Sequence, residues 1–195
     1  VNQAGRQRML SQRLAKTWLA LGQQVQPERA RRLMAESSAL FERQLLALQA
    51  FAPTTRLRST YAALGQAWTR YQQGLGSLAP TAANSAALLA LDAAVLALAH
   101  QGTGELEALA AQPVTRWVNL AGRQRMLSQR LAKYFLVQRW PAGVADAARQ
   151  SEAAQQEFVA ALTLLHDAPE ATPAIREQLR LGQQQWGFFA NALAQ

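Results

Sequence analysis

The sequence contains no cysteine and only two histidines. Without cysteine there can be no disulfides, thiolate metal sites or cysteine nucleophiles, and the compartment is left open. His100 and His166 lie in unlike contexts, so we predict no metal site and interpret His100 as incidental. No carboxylate pair or nucleophile system accompanies them, so an enzyme is the least expected function and no cofactor is predicted.

Long apolar runs are also missing. The longest one, from Ala86 to Ala99, is too short for a membrane span and contains Asp92. No N-terminal signal pattern is visible and the chain starts at Val1, so we expect a mature product or an excised domain. At 195 residues the chain is one large domain or two small ones, with enough length to bury a core.

Lysine is scarce although the chain is basic, with 20 Lys and Arg against 12 Asp and Glu and a net charge of +8. Residues 77–112 hold no basic side chain, so the positive charge lies on both sides of an acidic middle segment. The arginine excess has two interpretations, genome composition or attraction of an anion. A nucleic-acid partner is not expected, because the basic residues are interspersed with Ala and Leu and no recognition motif is present.

Helix-forming residues dominate, and proline and glycine fall between the periodic segments. This pattern predicts an all-α fold without strands. The predicted helices cover residues 2–24, 27–51, 54–76, 82–111, 114–139, 142–167 and 171–194.

Sixteen residues occur twice, as VNQAGRQRMLSQRLAK at 1–16 and as VNLAGRQRMLSQRLAK at 118–133. Only Gln3 and Leu120 differ. Cores accept many apolar combinations, so packing alone does not explain near-identity in one segment. The simplest interpretation is that both copies do the same chemical job on one shared ligand.

A weaker repeat surrounds this block. Phe41 and Phe158 keep the spacing of the two copies, and the segments ending in Trp68 and Trp186 resemble each other. We therefore predict an up-down antiparallel helical bundle with an internal pseudo-two-fold duplication. Its first unit is 1–112, including a connector helix at 82–111, and its second is 113–195, which lacks the last helix. Four helices precede the fifth, so helices one and five are predicted to be parallel.

A helical projection of the block places Arg8 in a sector of small and polar residues, with Gly5 one turn earlier. Arg125 and Gly122 take the same places in the second copy. Two such sectors face to face would bring two guanidinium groups together in a partly dry site, which is unfavourable unless an anion lies between them. A planar oxyanion such as nitrate suits the fork of donors on arginine.

Other interpretations of these residues stay open. Arg8 and Arg125 can instead extend to solvent or bond helix carbonyls. Asn2 and Asn119 are most simply helix N-caps. The remaining block residues are interpreted as a solvated face (Arg6, Arg13, Arg123 and Arg130) and as packing groups (Met9 and Met126), with Trp68 and Trp186 as core anchors.

The block N-x-A-G-R-Q-R-M-L-S-Q-R-L-A-K resembles the P-box of nitrate/nitrite sensor histidine kinases. It resembles still more closely the opening helix of the PilJ-type domain, the N-terminal sensor domain of type IV pili methyl-accepting chemotaxis transducers. Both copies fit, which indicates tandem domains. The match is specific over the two blocks and only architectural elsewhere.

The resemblance implies a helical periplasmic sensor that binds nitrate or nitrite between paired P-box helices across a dimer interface. Its contacts imply Arg8 with Gly5 and Arg125 with Gly122 as ligand-binding residues. Secondary candidates are Gln12, Gln129, Met9, Met126, Arg6 and Arg123. The chain would be attached to a membrane signalling protein, or a separate partner protein would recognise its ligand-bound state. Formation of a homodimer is a further alternative. The alternative function is a structural or protein-interaction module that uses the basic helix face and has no small-molecule ligand.

Overall fold

A computed structural model describes residues 1–140, 144 and 146–193 of the chain. These residues form helices and connecting loops, with no strand in this part of the chain. The all-α prediction is therefore confirmed for them. The helices are α1 (Asn2–Gly22), α2 (Pro27–Phe51), α3 (Thr55–Ser77), α4 (Ala82–Ala110), α5 (Pro113–Gln138), α6 (Ala147–His166) and α7 (Pro173–Leu193).

The predicted boundaries agree closely with these helices. The largest difference is at α6, which begins at Ala147 rather than at 142; residues 142 and 143 lie outside the described residues, as does the predicted end of α7 at 194. Proline begins α2, α5 and α7, where its missing N–H costs no hydrogen bond. The prediction that prolines mark the boundaries is thus confirmed at these helices.

Helices α1 to α4 form a four-helix bundle, in which α4 packs against α1 and α3. Helix α5 then packs along α1, and α6 packs along α5. Buried side chains from α1 through α6 form one hydrophobic cluster. The predicted division at 112 and 113 falls at the short connection between α4 and α5, and it stays a prediction.

The connection between α4 and α5 consists of Ala111 and Gln112. Ala111 is in the left-handed conformation at φ 48°, which ends α4 and turns the chain sharply. Gly102 and Gly104 do not break α4, which is continuous through both. Gly102 is needed for packing, because a Cβ there would lie 3.0 Å from the ring of Tyr61.

Helices α1 and α5 lie side by side and run in the same direction. Hydrogen bonds join Arg8 to Asn119, Lys16 to Gln129 and Gln23 to Leu136. Residue numbers increase along both helices in the same order, so the helices are parallel. The predicted parallel arrangement is therefore observed. Gly122 of the α5 sector lies beside Arg8 of the α1 sector, whereas Ala121 and Arg125 on α5 remain exposed.

The internal repeat is visible in matched contacts. Gln7 donates to the carbonyl of Phe41 at 3.1 Å, and Gln124 donates to the carbonyl of Phe158 at 2.9 Å. The indole of Trp68 stacks on Phe41 at 4.1 Å, as Trp186 does on Phe158 at 4.4 Å. These equivalent contacts, made by both units, agree with the predicted duplication.

Helix α4 has no counterpart in the second unit as far as the described residues go. It is long and apolar enough to cross a membrane by length and composition alone, with a mean hydropathy of 1.8 over its most apolar window. In this fold it covers the α1 sector and carries the fully buried Asp92. The sequence expectation that no run resembles a span was therefore too narrow, since it considered only unbroken apolar residues, whereas α4 is apolar on average over a longer window.

Candidate functional site

Arg8 is the most deeply buried charged side chain of the repeated block, with 0% of its surface exposed. It lies on α1, where α4 and α5 both cover it. Its Nη2 donates to Asn119 Oδ1 at 2.6 Å, and its Nη1 lies 3.3 Å from His100 Nδ1. Its Nε is buried and has no hydrogen-bond partner. The site thus leaves one guanidinium donor unused.

The charge of Arg8 is poorly compensated. No carboxylate of the described residues lies within ion-pair distance of it, although Glu107 and Glu157 lie in its wider surroundings. Burial is the main cause that lowers the pKa of Arg8, to about 10, and the nearby positive charge of Arg123 lowers it further. Both causes disfavour the charged form, so an additional negative charge here would be stabilising.

Arg125 takes the equivalent place on α5 and lies close to Arg8. A Cβ built on Gly122 would be 3.6 Å from Arg8 Nη2 and 3.8 Å from Arg125 Nη2, so both donors surround one point. Arg125 Nη2 donates to Asn2 Oδ1 at 2.9 Å. Each arginine therefore binds the asparagine of the other copy, as a two-fold relation requires.

The glycines of the two copies make room for these groups. A Cβ on Gly5 would be 3.2 Å from Arg8 Nη2, which is tighter than ordinary van der Waals contact. A Cβ at Gly5 would therefore press on the guanidinium of Arg8, whereas one at Gly122 would make ordinary van der Waals contact with both arginines. The structure brings together all four predicted primary residues, Arg8, Arg125, Gly5 and Gly122.

The two arginines differ in one respect that the duplication did not predict. Arg8 is fully buried, whereas Arg125 is exposed. The same contrast holds between Ala4, which is 1% exposed, and its equivalent Ala121, which is exposed. Helix α4 covers the α1 residues, and no described helix covers their α5 equivalents. The site is therefore closed on one side and open on the other.

Asn119, Asn2 and His100 were not assigned to the site from the sequence. Asn119 is not an N-cap, because α5 already begins at Pro113, and its side chain instead accepts from Arg8 and donates to Glu107. Asn2 is the first residue of α1, but the cap position is Val1 and its side chain accepts from Arg125. The near-identity of the blocks was the signal that could have identified both asparagines.

His100 was interpreted as incidental, and this was wrong. It lies on α4 and contacts Arg8, because α4 crosses the α1 sector at that level. Burial lowers the pKa of His100, and the neighbouring Arg8 and Arg123 lower it further. Its neutral Nδ1 is thus suited to accept a hydrogen bond from the guanidinium.

The secondary candidates lie in other places. Gln12 and Gln129 form a layer beyond the arginines, where Lys133 donates to Gln12 Oε1 at 2.7 Å and Lys16 donates to Gln129 Oε1 at 2.6 Å. Lys133 also forms a buried ion pair with Asp92, at 2.7 Å. This lysine layer ties α1, α4 and α5 together and does not contact the Arg8 guanidinium.

The other predicted positions divide between core and partly buried surface. Met9 and Met126 are buried in the core, as their interpretation as packing groups predicted. Arg123 pairs with Glu157, and Arg6 is only half-buried. A fully solvated face is therefore the wrong description of these arginines, because α6 covers part of it. Among the described residues no cluster of three or more His, Asp or Glu could hold a metal.

The comparison with known families covers most of the chain. The family described as PilJ, Type IV pili methyl-accepting chemotaxis transducer N-term, matches residues 1–97 and again residues 110–195. No curated protein and no solved structure matches the chain. The first match spans α1 to the middle of α4, and the second spans α5 to α7. PilJ is a sensor and transducer family rather than a catalytic one. The chain therefore belongs to the PilJ family of chemotaxis transducer sensor domains and carries two tandem copies of that domain.

Proposed function

We propose that this chain is a periplasmic sensor module that binds one small planar oxyanion, nitrate or nitrite, between α1 and α5. The observation that carries the proposal is Arg8, which is 0% exposed, lacks a carboxylate partner among the described residues and has an unpaired Nε. A buried charge without a counter-ion is costly. An anion beside Arg8 would remove that cost.

The geometry favours a small planar ligand. Arginine donates two parallel hydrogen bonds to two oxygens in one plane, and a second arginine approaches the same point from α5. The glycines on both helices leave a small space beside the two guanidinium groups, which suits a triatomic or four-atom anion better than a larger tetrahedral one. The resemblance of both blocks to the P-box supports nitrate and nitrite within this class.

A bound oxyanion would replace the side-chain oxygens that now accept hydrogen bonds from the two arginines. The Oδ1 atoms of Asn119 and Asn2 now accept from the two arginines. An oxyanion would replace them, and each amide could then present its NH₂ group to the ligand. Because Asn119 also donates to Glu107 on α4, this exchange would alter the contact between α5 and α4. A shift in that contact is the signal we propose, provided that the ligand has different affinities for the two arrangements.

The protein-interaction module is less well supported. It would use Arg6, Arg13, Arg123 and Arg130, but Arg123 pairs with Glu157 and Arg130 donates to Gln150 on α6. These contacts occupy half of the proposed interaction face. Binding to an acidic partner that weakens steeply with salt and ignores nitrate would favour this alternative.

Isothermal titration of the whole chain with sodium nitrate tests the proposal, with nitrite, sulfate and acetate as further ligands and with chloride held constant. We expect saturation near one nitrate per chain. Arg8→Gln should weaken binding by about 100-fold, because hydrogen bonds to charged groups contribute about 1.5–3 kcal/mol each. Arg125→Gln should weaken it by about tenfold, since this side chain is exposed and more easily replaced by water.

Arg70→Gln is the matched control, because Arg70 is an exposed arginine on α3, which contributes no residue to the site. This variant should bind like the original chain. Circular dichroism checks that each variant keeps its helices. Unchanged nitrate binding in Arg8→Gln, or no heat with any oxyanion, would reject the site.

A further inference from the structure

A groove of about 600 Å³ runs between α4, α5 and α6, beside the arginine site. Its α4 wall is a stripe of small and aliphatic side chains at helical spacing, which ends at His100. The stripe consists of Ala86, Leu89, Ala90, Ala93, Leu96 and Ala97. From Ala86 to His100 it is about 21 Å long at 1.5 Å per residue. The alanines leave the groove open, because α4 touches α5 only over a short stretch.

The opposite wall is basic. Arg123, Arg130 and Lys133 of α5 line the groove. Arg123 pairs with Glu157 and Lys133 with Asp92, so two of these charges are compensated. At the groove's mouth the carboxylate of Asp146 pairs with Arg149.

Arg130 is the uncompensated cation of this wall. It has no carboxylate within ion-pair distance among the described residues. Its Nη2 donates to Gln150 Oε1 at 2.7 Å, and its Nε is buried without a hydrogen-bond partner. Tyr134 lies beneath the guanidinium, 5.8 Å from its centre, and limits its movement. One fixed cation therefore faces an apolar wall across a narrow groove.

We propose that this groove binds a linear amphiphilic monoanion, a carboxylate with an alkyl chain. The carboxylate would bind the guanidinium of Arg130, which lines the groove. The alkyl chain would lie along the alanine stripe, where each buried methylene contributes about 0.8 kcal/mol. A volume of this size is in the range of small-molecule sites. An inorganic anion would gain nothing from the α4 wall. Arg8 does not line the groove, so the two anion positions are distinct although the groove ends at His100, beside the oxyanion site.

The repeat supplies an internal control. Arg13 occupies in the first block the position of Arg130 in the second, and it is half-buried in the same way. No described helix stands opposite Arg13 as α4 stands opposite Arg130, and Glu36 lies near it. The two arginines therefore match in chemistry and differ in the presence of the groove.

The experiment is calorimetric titration of the whole chain with sodium decanoate below its critical micelle concentration, beside sodium acetate and a neutral decyl glycoside. We expect decanoate to saturate near one per chain and the other two to bind at least tenfold more weakly. Arg130→Gln should weaken decanoate binding at least tenfold, and Arg130→Lys should restore part of it. Ala93→Phe, at an exposed position on α4, should abolish it by filling the groove.

Arg13→Gln should leave decanoate binding unchanged, and all these variants should bind nitrate like the original chain. Equal loss in Arg13→Gln and Arg130→Gln would overturn the groove site, as would equal binding of acetate or of the neutral glycoside. Unsaturable binding at many molecules per chain would overturn it as well. Because nitrate is measured in parallel, failure of the groove site is distinguishable from failure of the oxyanion site.

Discussion

Removing Asp92 should destabilise the fold far more than removing an exposed acid. The Asp92 side chain is 0% exposed and that of its partner Lys133 is 4% exposed. Asp92 Oδ1 also accepts from Gln12 at 2.7 Å, so the carboxylate binds both α5 and α1. In Asp92→Ala the lysine ammonium stays buried without a counter-charge. Breaking one side of a buried pair costs about 3–5 kcal/mol.

For a chain of this length each kcal/mol shifts Tm by about 2–4 °C, so we expect Tm to fall by about 6–20 °C. The assay is urea unfolding followed by circular dichroism, together with a thermal scan. Glu28→Ala is the control, since Glu28 pairs with Arg31 at the surface and such pairs contribute about 0.2–1 kcal/mol. Replacing both partners, by Asp92→Leu with Lys133→Met, should recover most of the loss. A loss in Asp92→Ala no larger than in Glu28→Ala would refute the reasoning.

Three further predictions concern His100, two glycines of α4 and the equivalent tryptophans of the two units. Nitrate affinity should rise as pH falls from about 7.5 to about 5.5. Protonation of His100 beside a cation is disfavoured, as its lowered pKa shows, but a bound anion would favour it. Titrations at several pH values check this trend, and His100→Gln should flatten it. Gly104→Ala should stabilise the chain by up to about 1 kcal/mol, since a Cβ there meets nothing within 4 Å. Gly102→Ala should destabilise it, because the added Cβ would press on the ring of Tyr61. Urea unfolding compares the two variants, and equal effects would contradict the packing of Gly102 against Tyr61. Trp68→Ala should cost about 3–5 kcal/mol of stability and Trp186→Ala less, because Trp68 is buried and Trp186 only partly so. Equal shifts of Tm in thermal scans of the two variants would contradict this reasoning.

The same pH argument gives the sign for stability. The folded-state pKa of His100 is lower than its ordinary value of 6.5, so the unfolded chain binds the proton more readily. The contribution of His100 to stability is therefore complete above about pH 6.5 and is lost as the pH falls below that value. Bound nitrate should reduce this loss, because it favours the protonated ring in the folded state.

Local pattern predicted the helices and their direction well. Helix formers, with proline at the boundaries, fix where α2, α5 and α7 begin, and counting helices made α1 parallel to α5. Arg8 and Arg125 could be selected because a helical face is a local property. Their proximity follows from the same duplication.

Contacts between distant segments could not be predicted in this way. His100 reaches Arg8 from 92 positions away, and Asp92 reaches Lys133 from 41 positions away. Nothing near His100 or Asp92 in the sequence indicates a partner, since the partner depends on the level at which α4 crosses α1 and α5. The capping interpretation of Asn119 was taken from the repeated block and disagreed with the predicted helix at 114–139, and the structure, in which α5 begins at Pro113, decides against it.

Because α1 and α5 belong to one chain, the effective concentration of one helix at the other is independent of protein concentration. Two sites joined by a linker meet at an effective concentration that the linker sets, on the order of millimolar for short flexible ones. Dilution therefore cannot separate α1 from α5, and the response to a ligand held between them would not vary with the amount of receptor in the cell. Fusion also lets selection act on each copy alone. Arg8, enclosed by α4, and the open Arg125 can diverge in sequence without a second gene.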